Sequence, residues 1–164
     1  MKKSIKGRKI KKLFSKYVDE ETIDKILDEN ISEPEMNKLE KSIIDFVLIK
    51  VRDKPIENIQ NHIKNVVGVA AANNGIIENI ISTVVVVSFF KNKENEKIAN
   101  RMKLIKHLLK SEGKDISIVH GRVNGYYGNL GNSSSFHFGS IIPNVSNYIA
   151  LLDSLEFGEC KGIN

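Results

Sequence analysis

A run rich in β-branched residues, NNGIIENIISTVVVVSFF from Asn73 to Phe90, constrains this chain more than any other stretch. Ile76, Ile77, Ile80 and Ile81 precede Val84 to Val87, and Phe89 and Phe90 follow. Side chains branched at Cβ give up χ1 freedom in a helix but pack well on a pleated surface. Two strands are therefore expected, with the polar pair Ser82-Thr83 as the turn between them. Asn73-Asn74-Gly75 marks where the preceding element stops.

The flanking segments fit around that hairpin. Residues 42–53, SIIDFVLIKVRD, are almost continuously apolar apart from Asp45 and Lys50, which suits a central strand covered on both faces. Pro55 suits an early helix position, and Ile56, Ile59, Ile63, Val66, Val67 and Ala70 mark an amphipathic helix reaching Asn73. After the hairpin, Ile98, Met102, Ile105, Leu108 and Leu109 mark a second helix, closed by Gly113, and Ile116 to Val119 a further strand. The order strand, helix, two strands, helix, strand predicts an α+β, ferredoxin-like antiparallel sheet with its helices on one face. A glycine-rich segment, GRVNGYYGNLGNSSSFHFGS, comes next, and a last helix begins near Pro143 with Val145, Ile149 and Leu152. Gly125 to Gly131 lacks the lysine-serine ending of a phosphate loop, so a tight β-turn pair is expected there.

Ahead of this domain, Ile10, Leu13, Phe14 and Tyr17 recur at helical spacing, and Asp19 can cap a short helix carrying Ile23, Ile26 and Leu27. The organisation read from the sequence is thus a basic helical opening segment and linker over 1–41, followed by one domain over 42–164. The formal charge of +5 lies mostly in the opening arm, where Lys2, Lys3, Lys6, Arg8, Lys9, Lys11, Lys12 and Lys16 sit together. Such an arm can attract phosphate or an anionic surface, but no aromatic residue interleaves it before Phe14, so a solvated helix face is expected in place of a nucleic-acid site. Cys160 is the only cysteine, which excludes an internal disulfide and a cysteine metal cluster. No apolar run approaches the roughly 20 residues of a spanning helix, and a cytoplasmic protein is expected. His62, His107, His120 and His137 show no spacing that sets two of them beside a carboxylate on one helix face, so no histidine metal site is expected.

Three segments, in order, resemble the class III nucleotidyl cyclase homology domain, the fold of adenylyl and guanylyl cyclases. KKLFSKYVDEETIDKIL at 11–27 is similar to the family's helical opening. NNGIIENIISTVVVVSFF resembles its pattern of Gly-Gly, strand, Gly-Asp and an apolar strand ending in Phe. GRVNGYYGNLGNSSSFHFGSIIPNVSNYIALL resembles the glycine-rich strand pair and the helix that lines the nucleotide pocket. The resemblance spans most of the chain from Lys11 to about Leu155, and relative to the family the chain stops short at its C-terminus.

The resemblance implies specific positions, and this sequence departs from the family at each. Of two aspartates that hold paired Mg²⁺ in the family, the first falls on Lys50, or on Val51 if the match shifts by one residue, and the second on Thr83. An Asn and an Arg that orient ribose and stabilise the transition-state phosphate fall on Pro143 and Asn147. The base-reading positions fall on Asn79 and Phe136. No catalytic residue and no metal ligand is therefore expected, and no cofactor. Lys50, expensive to bury unpaired within an apolar strand, is the candidate contact for an anion or nucleotide; otherwise it snorkels from the strand end or pairs with Glu78 or Asp53. Because family active sites form between two domains, the resemblance implies a regulatory domain that is catalytically inactive and works by homodimerising or by pairing with another cyclase-like domain. Two rivals stand beside it: an active cyclase that makes a cyclic nucleotide with Mg²⁺ or Mn²⁺ through Asp45, Asp53 and Arg122, and a nucleic-acid binder working through the basic arm.

Overall fold

The computed structural model describes residues 38–91, 93–131 and 137–163. The basic arm, the two opening helices, most of the linker and Phe136 lie outside the described residues.

The long apolar segment forms strand β1 (Glu40–Val51), beginning two residues before the expected Ser42. A single 3-10 turn (Ile56–Asn58) leads into helix α1 (Ile59–Ala72). The β-branched run makes the hairpin β2 (Ile76–Ile81) and β3 (Val84–Phe89), with Ser82 taking a left-handed φ of 55° at the turn. Helix α2 (Glu94–Glu112) is followed by β4 (Ile116–Asn129), β5 (Phe138–Ile141), helix α3 (Val145–Ser154) and β6 (Cys160–Ile163).

The sheet runs β2-β3-β1-β4-β5, with every pair along that path antiparallel, and β6 adds parallel to the first half of β4. β1 is central, as its near-absence of polar residues required. Alternation along the strands divides the core in two. Val47, Ile49, Val51, Val85, Val87, Phe89, Ile116 and Ile118 face Val66 and Ala70 of α1 and Leu104, Ile105 and Leu108 of α2. Ile44, Phe46, Leu48, Val86 and Val119 face the other way, against Leu152 of α3 and Ile142. The two helices between the strands thus share one face, as the element order predicted, while α3 covers part of the opposite face, where Tyr148 stacks on Phe46 at 5.1 Å.

The glycine-rich segment corrects the sequence reading. It is not a pair of tight turns: Gly121, Gly125 and Gly128 lie within β4, which continues ten residues beyond Val119. Glycine is needed where other chain segments cross closely. A Cβ on Gly125 would stand 2.4 Å from the Ile141 carbonyl oxygen, and one on Gly121 would stand 2.5 Å from Ile163. The glycines therefore let β5 and β6 lie close along one edge of β4.

Candidate functional site

The C-terminal end of β1 and the β2–β3 turn meet, as the resemblance requires of its two metal-ligand positions. Lys50 stands opposite Val84, and the Val51 N–H donates to the Thr83 carbonyl at 2.9 Å. Lys50 shares a face with Phe46 and Leu48, so its side chain points toward α3, where Nζ meets Asp153 Oδ1 at 3.0 Å. Asp153 thus takes the place of the expected partners Glu78 and Asp53. The Glu78 carboxylate is already engaged by Ser88 Oγ at 2.6 Å, the Ser140 N–H at 3.0 Å and Ser140 Oγ at 2.9 Å. Asp53 lies exposed beyond the strand end. With side chains 30% and 57% exposed, the Lys50–Asp153 pair is screened by water and contributes at most about 1 kcal/mol. A pair this exposed holds the Lys50 ammonium only weakly.

The other family-matched positions lie apart from it. Asn79 is exposed on edge strand β2, just past an irregularity in the pairing, and its side chain accepts from the Ile80 N–H. Pro143 is exposed in the turn before α3, and Asn147 is exposed in that helix's first turn. Asp153 lies six residues further along α3 than Asn147, roughly 9 Å of helix rise. The Pro143–Asn147 pair and the Lys50–Thr83 pair therefore occupy separate patches of the molecule.

Among the described residues, a dense charge cluster sits midway along β1. Asp45 is fully buried and holds Arg122 through Nε at 2.6 Å and Nη2 at 3.2 Å. Arg101 Nε stands 3.8 Å from its other oxygen. Lys97, only 4% exposed, donates to the Ile43 carbonyl at 2.6 Å beside them. Burial pushes the Lys97 ammonium below its usual range, with Asp45 pulling the other way. The hydrogen bond to Asp45 raises Arg122. His120 is pushed down by burial and by the nearby Arg101 charge. One carboxylate thus serves three cations.

This geometry bears on the rival set Asp45, Asp53 and Arg122. Asp45 and Arg122 do meet, but Asp45 and Val51 are six strand residues apart, roughly 20 Å, and Asp53 lies beyond. The three do not share a site, and both oxygens of Asp45 face guanidinium groups.

The sequence reading missed one further grouping. His62 Nδ1 and Glu112 Oε2 are 2.7 Å apart, and Asp115 joins them with all three candidate ligand atoms inside 4.8 Å of one another. They come from the start of α1, the end of α2 and the turn before β4, so no spacing along one helix reveals them. Among the described residues, no helix is long and apolar enough to cross a membrane.

No protein-family model matches the sequence, and no curated protein matches it. The fold does find counterparts. The chain is similar to the adenylyl cyclase CyaB from P. aeruginosa, with 16% identity over 75% of this chain and 77% of that one and a TM-score of 0.54. Against the guanylyl cyclase domain of the RhoGC fusion protein from the aquatic fungus Blastocladiella emersonii, the TM-score is 0.59 at 9% identity, covering 77% of this chain and 84% of that one. A bacterial light-regulated adenylyl cyclase matches 93% of this chain with a TM-score of 0.54 and 14% identity. This chain spans only about half of that protein, 54% of its length. At such identities the likeness speaks for the backbone, and the chain carries the fold of the adenylyl and guanylyl cyclase catalytic domains.

Proposed function

We propose that this is a catalytically degenerate cyclase-fold domain that acts by pairing with a second such domain, another copy of itself or a different cyclase-like chain, to regulate it. One observation carries the reading: the strand end and hairpin turn that meet at the family's metal positions offer an ammonium and a hydroxyl. Two closely spaced divalent cations need several carboxylate oxygens to offset their charge. Lys50 and Thr83 do not fit a paired metal centre, since the one brings a positive charge, weakly paired with Asp153, and the other a single neutral oxygen. Pairing is further supported by β2, an edge strand whose Ile80 and Ile81 are 44% and 53% exposed. A reducing cytoplasm suits the single cysteine.

Sedimentation at several concentrations tests the pairing, alone and mixed with an active cyclase domain. A strict monomer at high concentration that neither binds nor alters the active domain would sink the proposal. Incubation with each nucleoside triphosphate plus Mg²⁺ or Mn²⁺ tests the inactivity. Turnover that Asp53→Ala abolishes would instead establish a working enzyme.

A further inference from the structure

We infer that His62, Glu112 and Asp115 form a binding site for a divalent transition metal of zinc type, separate from the positions that the cyclase resemblance points to. The three side chains are an imidazole and two carboxylates, and their ligand atoms all lie within 4.8 Å of one another. Three protein ligands with a fourth position left to water is a common zinc arrangement. The imidazole sets the metal class, because Mg²⁺ and Ca²⁺ favour all-oxygen shells while Zn²⁺, Co²⁺ and Ni²⁺ accept nitrogen readily.

The local chemistry is that of a site held together by a proton. His62 Nδ1 and Glu112 Oε2, 2.7 Å apart, are close enough that a hydrogen must lie between them. A metal at about 2.0–2.2 Å from each atom takes the place of that proton, widening the gap to roughly 3.4 Å at a tetrahedral angle. Neither ligand floats in solvent: the two side chains are 17% and 13% exposed. Asn65, one turn along α1 from His62, donates to the other Glu112 oxygen at 2.7 Å and so fixes the carboxylate's orientation. Asp115 is the adjustable member. Its Oδ1 accepts from Arg52 Nε at 3.1 Å, and both side chains are about two-fifths exposed. Arg52 therefore competes with a metal for Asp115. A bound ion would tie the start of α1 to the end of α2 and to the turn that launches β4.

Titration of the full chain with Zn²⁺ in a calorimeter is the test, with the visible absorption of Co²⁺ as a readout of ligand geometry. One equivalent should bind, with an intense absorption band of tetrahedral Co²⁺. His62→Gln and Asp115→Asn should each weaken Zn²⁺ at least tenfold, whereas His137→Gln, at an exposed position just before β5, should not. Arg52→Gln should bind several-fold more tightly, an effect that a simple hydrogen-bonded cluster does not predict. Asp115 is exposed enough that Asp115→Asn should fold, and circular dichroism checks each variant. In the parent, Zn²⁺ should raise the melting temperature, and in Asp115→Asn it should not. Absence of stoichiometric Zn²⁺ binding, binding that survives His62→Gln, or loss of binding in Arg52→Gln would overturn the assignment.

Discussion

Asp45→Asn should be among the most damaging isosteric substitutions in the described part of this chain. It keeps the side chain's shape and removes one charge, from a residue with no solvent exposure. In the parent that charge faces Arg122 at 2.6 and 3.2 Å and Arg101 at 3.8 Å, with Lys97 close by. Removing it leaves three cations gathered with only the weaker pull of Glu94 on Lys97 and Arg122 to offset them, and breaking a buried ion pair in this way costs about 3–5 kcal/mol. Set against the roughly 5–15 kcal/mol that holds a typical domain together, this is a large share of the total. At about 2–4 °C per kcal/mol for a chain of this size, melting should fall by roughly 6–20 °C. Urea unfolding followed by far-UV circular dichroism measures the loss. A cycle with Arg122→Met separates the pair from its surroundings: the double variant should lose less than the two single losses added together. A change below about 1 kcal/mol in Asp45→Asn would refute the argument, since it would mean that water already screens the cluster.

Lowering pH should destabilise the domain through His120, whose folded-state affinity for a proton is reduced from the ordinary value of 6.5. The unfolded chain then binds the proton more tightly, so this contribution is intact above about pH 6.5 and is lost as pH falls through the lower folded value. His120→Gln should flatten the slope of unfolding free energy as pH falls below about 6.5. Gly125→Ala should cost about 1–3 kcal/mol in urea unfolding, because the added methyl meets the Ile141 carbonyl at 2.4 Å. Lys50→Ala should weaken triphosphate binding measured by calorimetry without metal, and Asp153→Ala should strengthen it by releasing Lys50 from its 3.0 Å pair. Lys50→Asp combined with Thr83→Asp should gain Mn²⁺ affinity over the parent in the same instrument.

What was legible in the sequence follows from how local each cause is. The hairpin, the central strand and both helices of the α-face are read from β-branching, unbroken apolarity and helical spacing, signals that each segment carries within itself. β4 shows where this fails. Its second half, GRVNGYYGN, looks like turn sequence because glycine is costly in a strand. The cause lies outside the segment, in the Ile141 backbone that crosses Gly125 and the Ile163 side chain against Gly121. A glycine required by a distant neighbour cannot be told from a glycine required by a turn until the neighbour is placed.

The same distinction separates the parts of the candidate site. Lys50 and Thr83 were paired through the cyclase resemblance, and the 2.9 Å bond from the Val51 N–H to the Thr83 carbonyl brings that strand end and turn together. Which acid Lys50 meets depends on strand parity and on the packing of α3, and both direct it to Asp153, 103 residues away, although Asp53 is three residues distant. Asp45, conspicuous in an apolar strand, invited a catalytic reading. Its true requirement was a cation, and Arg122 supplies it from the facing position of β4. A buried carboxylate must be paired, hydrogen-bonded or neutralised, and which of these holds for Asp45 waited on the register. His62, Glu112 and Asp115 carry no such mark, since each is an ordinary residue of a polar helix face or turn. Their convergence is a product of how α1 and α2 pack, and only the three-dimensional arrangement makes them a group.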